Sequence, residues 1–309
     1  MAIKKPTLTH RIRKDFRRNK YLILMLVPVV VYFVLFKYVP MYGALIAFQN
    51  FKPRLGIWGS KWVGLKNFDK FFTGRYFKRV LGNTLTLSLM EIAVGFPAPI
   101  ILALLLNEVR NRYFKRTVQT ITYMPHFISM IVLCGIVVDF CDSDGIITRI
   151  VSSLTGNDIR NLLTVPAYFK PIYVISDVWQ EVGFGSIIYL SALSSTDPAL
   201  YEAAIIDGAN RWQQLIHITI PGILATVMIM FLLRVGRIMS VGYEKVILLY
   251  NPSTYETAEI ISTFVYKRGL LDAEYSLGAA VDLFNAVINL AMLLTFNTLS
   301  KRVTETSLF

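Results

Sequence analysis

Six apolar segments, each of about 20 residues, recur along the 309-residue chain and constrain its fold more than any other feature. An α-helix of this length spans a hydrocarbon core of ~30 Å, and only helices or closed barrels satisfy their backbone polar groups in lipid. Runs this long lack the alternating pattern of barrel strands, so the sequence predicts an all-α membrane protein with six transmembrane helices. The predicted spans are 21–39, 81–106, 125–141, 171–195, 220–240 and 277–299.

The basic residues are concentrated at the N-terminus. The chain carries 32 Lys and Arg against 20 Asp and Glu, and eight of the basic residues lie within positions 1–20. A basic tail beside an apolar helix is typical of contact with cytoplasmic lipid head groups, so we favour membrane lipid over nucleic acid as its partner. The apolar run 21–39 exceeds the core of a signal peptide, about 7–15 residues, and we expect it to be an uncleaved first span.

The distribution of charge also bears on orientation. Six spans return both termini to one side, where the loops and tails hold 15 Lys and Arg against 14 on the other side. The N-terminal tail decides this near tie, so we expect both termini in the cytoplasm. The predicted regions are a basic cytoplasmic tail (1–20), a first transmembrane helix with an external loop (21–80), a transmembrane core (81–300) and a cytoplasmic tail (301–309).

Motifs that carry catalytic or metal chemistry are absent from the sequence. It contains no GxxxxGK[ST] phosphate loop, no HExxH or CxxC, and no GxSxG nucleophile elbow. The three histidines, His10, His126 and His217, are too scattered to suggest a metal site. We therefore predict no catalytic residue, no metal site and no cofactor bound by this chain.

A polar insert separates the fourth and fifth apolar segments. Asp197-Pro198 is a typical helix start, and Gly208 is placed to end that helix in a left-handed turn. A second helical stretch, 210–219, precedes Pro221, which we expect to open the fifth span. The insert is thus a helix–turn–helix elbow on the side of the basic tail, and from its residues alone it is either a plain connector or a docking surface.

The spacing within this elbow resembles a known family. Glu202-Ala203-Ala204 is followed after three residues by Gly208 and after nine more by Ile218-Thr219-Ile220-Pro221. This resembles the EAA loop of ABC importer membrane subunits, with Ile220 replacing the usual leucine. The extended pattern at 202–209 is similar to the carbohydrate-uptake class of type I importers, and to the LplB-type permeases within it. GLKNF at 64–68, Asn83-Thr84, Trp179 and Gly183-Phe184 agree with this resemblance.

The resemblance implies a MetI-like permease fold in a bacterial inner membrane. Two homologous permease subunits would form the pathway, two ATPase subunits would bind ATP and Mg, and an extracytoplasmic sugar-binding protein would deliver an oligosaccharide. The EAA loop at 198–221 would be the cytoplasmic coupling helix seated on an ATPase. The coupling residues that it implies are Glu202, Ala203, Ala204, Asp207 and Gly208.

Polar residues inside the apolar spans are candidates for the pathway, because lone charges in lipid are costly. Sugars are bound by aromatic faces with hydrogen-bonding neighbours, and Arg234 and Arg237 share one helical face. The sequence leaves open whether the charged residues contact substrate or pair with acids on neighbouring spans. The substrate-pathway candidates are Asn83, Trp179, Gln180, Glu181, Asn285 and Asn289, with Arg234 and Arg237 as contacts for an acidic oligosaccharide.

Two other functions compete with an ATP-driven importer. A secondary transporter coupled to ions or protons would work without an ATPase, and it would favour an internal repeat that we do not find. An integral-membrane enzyme would need a catalytic constellation, which the sequence lacks. We therefore predict the permease subunit of an oligosaccharide importer.

Overall fold

The computed structural model describes residues 18–304 apart from 157 and 159. The basic residues of the predicted N-terminal tail up to Arg17, and 305–309 of the predicted C-terminal tail, lie outside the described residues. The elements in chain order are α1 (Lys20–Phe48), β1 (Gln49–Asn50), α2 (Gly56–Gly59), β2 (Lys61–Trp62), α3 (Lys66–Phe72), α4 (Phe77–Glu108), α5 (Arg112–Phe127), α6 (Met130–Cys141), α7 (Ile146–Thr155), a 3₁₀ turn (Leu162–Thr164), α8 (Pro166–Ser194), α9 (Pro198–Ile206), α10 (Arg211–Val235), α11 (Tyr243–Leu249), α12 (Tyr255–Ala258), α13 (Ile261–Phe264), which continues into a π-helical turn (Val265–Leu271), and α14 (Tyr275–Thr304).

The long helices confirm an all-α membrane architecture, although they do not reproduce the six spans evenly. Among the described residues, α1, α4, α10 and α14 are long and apolar enough to cross a membrane. The third predicted span, 125–141, overlaps mainly with α6, whose axis differs by 104° from that of the preceding helix α5. The fourth corresponds to α8, which is 29 residues long but less apolar than the others because polar residues interrupt it.

Three of the membrane helices widen by one residue in a π-helical turn shortly before a proline. A proline ring clashes with the carbonyl group four residues earlier and removes a hydrogen bond, so a widened turn relieves that clash. Pro221 accordingly does not open the fifth span as predicted, because it lies inside the continuous helix α10. The pairs are Val34–Tyr38 with Pro40, Glu91–Gly95 with Pro97, and Leu215–Thr219 with Pro221.

Helix α8 occupies the centre of the bundle. One apolar cluster joins α8 to α4, α6 and α11 through Leu87, Leu133 and Phe169, and a second joins α8 to α4 and α10 through Tyr189 and Ile223. In contrast, the apolar window of α1 has none of its residues buried. The structure therefore has a packed core around α8 and an N-terminal helix that this chain leaves uncovered.

The segment between α10 and α14 falls between the last two predicted spans, yet many of its residues are buried. Helix α10 ends at Val235 rather than at 240, and residues 236–242 are irregular. The following short helices carry buried residues, including Lys245, Val246 and Ile261. Part of this segment therefore contributes to the packed core, and its Leu270 and Leu271 side chains remain exposed.

Candidate functional sites: a charged cavity and an exposed elbow

A cavity of about 600 Å³ lies between α4, α8 and α10. Its α8 side is formed about halfway along that helix, by residues from Asp177 to Gly185. Aromatic walls come from Phe96 on α4 and Tyr189 on α8. The charged groups that line the cavity are Asp177, Glu181, Arg234 and Arg237.

Arg234, at the end of α10, pairs with a carboxylate on α4. Its Nη2 atom donates to Glu91 Oε2 at 2.5 Å, and the Glu91 side chain is 11% exposed. Glu91 begins the π-helical turn that precedes Pro97, and such turns recur at functional sites. This pair fastens the two helices together beside the cavity.

Asp177 faces the cavity from α8 and pairs with a lysine that sequence analysis missed. Lys245 Nζ lies 3.3 Å from Asp177 Oδ1, and the lysine side chain is only 2% exposed. The same ammonium group lies 4.8 Å from the centre of the Tyr173 ring. Lys245 was not a candidate because it lies between the predicted spans, and only polar residues within the spans were considered.

Glu181 pairs with His126 at the break between α5 and α6. The His126 Nδ1 atom lies 3.0 Å from Glu181 Oε2, and the imidazole stacks on Phe184 with 3.9 Å between ring centres. Helices α5 and α8 touch closely here, since a Cβ atom on Gly183 would lie 2.0 Å from the Thr122 carbonyl oxygen. The bend of the third span is thus packed directly against the cavity wall.

The remaining pathway candidates are not gathered at this cavity. Trp179 lines a separate apolar pocket between α6, α7 and α8, and Gln180 is buried. Asn83 donates to two backbone carbonyls of the α12 segment at 2.8 and 3.0 Å. Asn289 bonds Met239 and Ser240 after α10, while the buried Asn285 Oδ1 has no partner in the described part of the chain. Of the predicted pathway residues, the cavity brings together Glu181, Arg234 and Arg237.

The elbow has the local geometry that its sequence predicts. Asp197 caps α9, accepting from Ala199 N at 2.9 Å. Gly208 has a φ of +79° and ends the helix in a Schellman motif, with Ala209 N donating to Ala204 O at 2.8 Å. Asn210 and Gln213 form a capping box at the start of α10.

The outer surface of the elbow combines acidic and apolar side chains. Glu202, Ala203, Asp207 and Gly208 are exposed, and Ala204 is half-buried at a notch of about 290 Å³ between the two arms. Large apolar side chains are also exposed beside them. These are Leu200 at 52%, Ile205 at 63%, Ile206 at 85% and Trp212 at 68%.

Hydrogen bonds fix the elbow to the membrane helix that follows it. Tyr201 Oη and Thr219 Oγ1 lie 3.0 Å apart, and Gln214 donates to the Ala209 carbonyl at 2.9 Å. Because α10 runs without a break from Arg211 to Val235, one continuous helix connects the elbow to the arginine at the cavity.

Apolar helices surround a charged cavity, and a capped elbow with an exposed apolar surface connects two of them. These features together define a membrane-transport subunit. The model of the family described as "Binding-protein-dependent transport system inner membrane component" matches residues 95–305. The chain therefore belongs to this family of ABC importer permeases, as its EAA-type spacing predicted.

Relatives that resemble the whole chain support the same assignment. Protein LplB of Bacillus subtilis (strain 168) is 42% identical over 294 residues, covering 95% of this chain and 92% of LplB. The polygalacturonan/rhamnogalacturonan transport system permease protein YteP of the same organism is 42% identical over 292 residues, covering 94% and 91%. A chain of a bacterial ABC transporter involved in importing the acidic polysaccharide alginate superposes with a TM-score of 0.87 at 43% identity, covering 95% of this chain and 99% of that one. The MetI-like permease fold is thereby confirmed.

Proposed function

We propose that this chain is one of two permease subunits of an ATP-driven oligosaccharide importer, and that its elbow transmits the movement of ATPase subunits. The exposed elbow surface carries this proposal. Ile206 and Trp212 present large apolar areas to solvent although their own backbone is fully capped. Exposed apolar patches rimmed by charge are typical of protein interfaces. Family membership favours this function over a secondary transporter or a membrane enzyme.

Coupling follows from the continuity of α10. Arg211, next to the elbow, and Arg234, at the cavity, are separated by 23 helical residues, or about 35 Å at ~1.5 Å per residue. An ATPase that tilts the elbow therefore moves Arg234 and its partner Glu91 with it. The cavity between α4, α8 and α10 then opens or closes as the angle of α10 changes.

The proposal assigns the partner proteins to different faces of this chain. The ATPases bind ATP and Mg on their own chains and contact the elbow, which places the elbow and both termini in the cytoplasm. A second permease completes the pathway, and an extracytoplasmic binding protein delivers the sugar from the opposite face. The exposed apolar surface of α1 is suited to lipid or to the second permease.

We also propose that the oligosaccharide is acidic. YteP is named for polygalacturonan and rhamnogalacturonan transport, and the superposed importer carries alginate. The cavity offers two arginines, Arg234 and Arg237, beside aromatic walls. Guanidinium groups bind carboxylates in a bidentate manner, so a uronate chain suits this lining.

The coupling function is tested with charge changes on the elbow. Glu202→Lys reverses an exposed charge and Gly208→Asp adds one, so both should abolish uptake of a galacturonate oligosaccharide and uncouple ATP hydrolysis from it. Gly208→Asn is the matched control for the backbone, because Asn and Asp both tolerate a positive φ. It should retain more uptake than Gly208→Asp. Asp144→Lys, at an exposed acid near α7, should leave uptake unchanged.

Co-purification separates the possible results of this test. The wild-type chain and Asp144→Lys should retain ATPase subunits after affinity purification, whereas Glu202→Lys should lose them although the protein remains in the membrane. A wild-type chain that transports the sugar without any bound ATPase would contradict the proposal and support secondary transport.

A further inference from the structure

The two carboxylates that line the cavity, and Glu91 beside it, already have partners on other elements. Glu91 pairs with Arg234, Asp177 with Lys245, and Glu181 with His126. Each pair joins two different elements, so each one also holds the cavity wall together. A substrate that competed for these partners would have to break a contact that fixes the bundle.

Arg237 differs from these groups. It lines the same cavity and is exposed, and within the described residues its side chain makes no ion pair or hydrogen bond. An unpaired charge within a membrane-spanning bundle is costly and tends to mark a substrate or ion pathway. Arg237 is therefore a cation that the chain itself leaves unmatched.

The backbone that carries Arg237 is nevertheless held in place. Helix α10 ends at Val235, and Arg237 N donates to the Arg234 carbonyl at 3.1 Å. Two residues further on, Met239 N donates to Asn289 Oδ1 at 2.9 Å, which ties the irregular stretch to α14. The guanidinium group thus extends into the cavity from a pinned position rather than from a free loop.

Arg234 is poorly suited to bind the same ligand. Its partner Glu91 is 11% exposed, and withdrawing the guanidinium would leave a nearly buried carboxylate without a counter-ion. Breaking such a pair costs much more than an exposed pair contributes. An incoming carboxylate therefore competes with Glu91 at Arg234 but meets no internal competitor at Arg237.

We propose that Arg237 contacts the carboxylates of the transported sugar and selects for acidic oligosaccharides, whereas Arg234 is a positioning residue that acts through Glu91. This inference rests on the proposed function, since it assigns the substrate contact within the same pathway. Arg237 presents a planar set of five donors, which matches a uronate carboxylate. Arg234 lies within α10 whereas Arg237 lies beyond its end, and this difference allows the two arginines to serve different roles.

The test compares a galacturonate pentasaccharide with its fully methyl-esterified form, in vesicles containing the complete transporter and its binding protein. Discrimination by the binding protein is the same for every variant and cancels when each uptake ratio is divided by that of the wild type. Arg237→Ala should lower the acid-to-ester uptake ratio by about tenfold, because one charge-assisted hydrogen-bonding contact is lost. Arg237→Lys should restore part of this ratio.

Arg234→Ala is the matched comparison. It should reduce uptake of both sugars by a similar factor and lower the yield of assembled complex, with the acid-to-ester ratio unchanged. Arg149→Ala, at an exposed arginine on α7, should change neither quantity. The assignment would be overturned if Arg237→Ala kept the wild-type acid-to-ester uptake ratio. It would also be overturned if Arg234→Ala changed that ratio and Arg237→Ala did not.

Failure of the proposed function gives a different result. If the wild-type transporter takes up neither sugar while its ATPase remains active, the acidic-oligosaccharide function is wrong and the Arg237 assignment falls with it. If uptake occurs and only the ratio is insensitive to Arg237, the function stands and the assignment alone is wrong.

Discussion

The elbow and the cavity lie at opposite ends of α10, and they are built in opposite ways. The elbow is stabilised mostly by hydrogen bonds between residues two to five positions apart, such as Asp197 with Ala199, and the Tyr201–Thr219 contact spans only 18 positions. The cavity is stabilised by side-chain contacts between polar residues 143, 68 and 55 positions apart. A local structure keeps its shape while it moves, whereas a structure held by contacts between elements changes when those elements shift. The elbow should therefore keep its shape when α10 moves, whereas the cavity should change with the relative positions of its helices.

The largest expected effect breaks a long-range contact at the cavity. Lys245→Met leaves Asp177 partly buried without its counter-ion, which should lower the free energy of unfolding by about 3–5 kcal/mol. Asp177→Asn combined with Lys245→Met should recover most of that loss. Thermal unfolding of the purified complex, measured as a double-mutant cycle, provides the readout. Additive losses in the double variant would show that the pair contributes little to the fold.

The close approach of α5 and α8 is another contact between residues far apart in sequence, and it predicts a steric effect at Gly183. Gly183→Ala places a Cβ atom 2.0 Å from the Thr122 carbonyl oxygen, so α5 must move away from α8. We expect a loss of about 1–3 kcal/mol and a lower yield of assembled transporter. Gly135→Ala is the control, because its Cβ atom would meet nothing within 4 Å. Equal yields for the two variants would contradict the packing described for this bend.

A smaller effect is expected where stabilisation is local. Asp197→Ala removes the N-cap of α9 and should cost about 1 kcal/mol. Because the Schellman motif and the capping box remain, the elbow should keep its shape and uptake should fall only modestly. Hydrogen exchange of residues 198–206 would measure the change. Exchange that spread to α4 and α8 would show that the elbow is not independent of the cavity.

This contrast also decides what the sequence alone could predict. Asp197, Gly208 and the EAA spacing are local patterns, and they correctly located the helix start, the left-handed turn and the family. The apolar segments likewise predicted a helical membrane protein. These features depend on residues that are close together in the chain, where propensity and spacing are informative.

The cavity could be predicted only in part. Glu181, Arg234 and Arg237 stood out as polar residues within spans, and the alternative that Arg234 pairs with an acid is confirmed by Glu91. Lys245 was missed because nothing in its own segment predicts burial. Asn83 and Asn289 were correctly seen as unusual, but the structure uses their amides to hold irregular backbone. Composition identifies a polar group within a span but not the element that it faces.

The π-helical turn before Pro221 changes the rotation of one end of α10 relative to the other. One additional residue in a helical turn rotates everything beyond it by about 100° relative to an uninterrupted helix. The azimuth of the elbow around the α10 axis is therefore set by the turn at Leu215–Thr219. Loss of one residue there would leave both ends of the helix intact and rotate the exposed face of the elbow relative to Arg234 at the cavity.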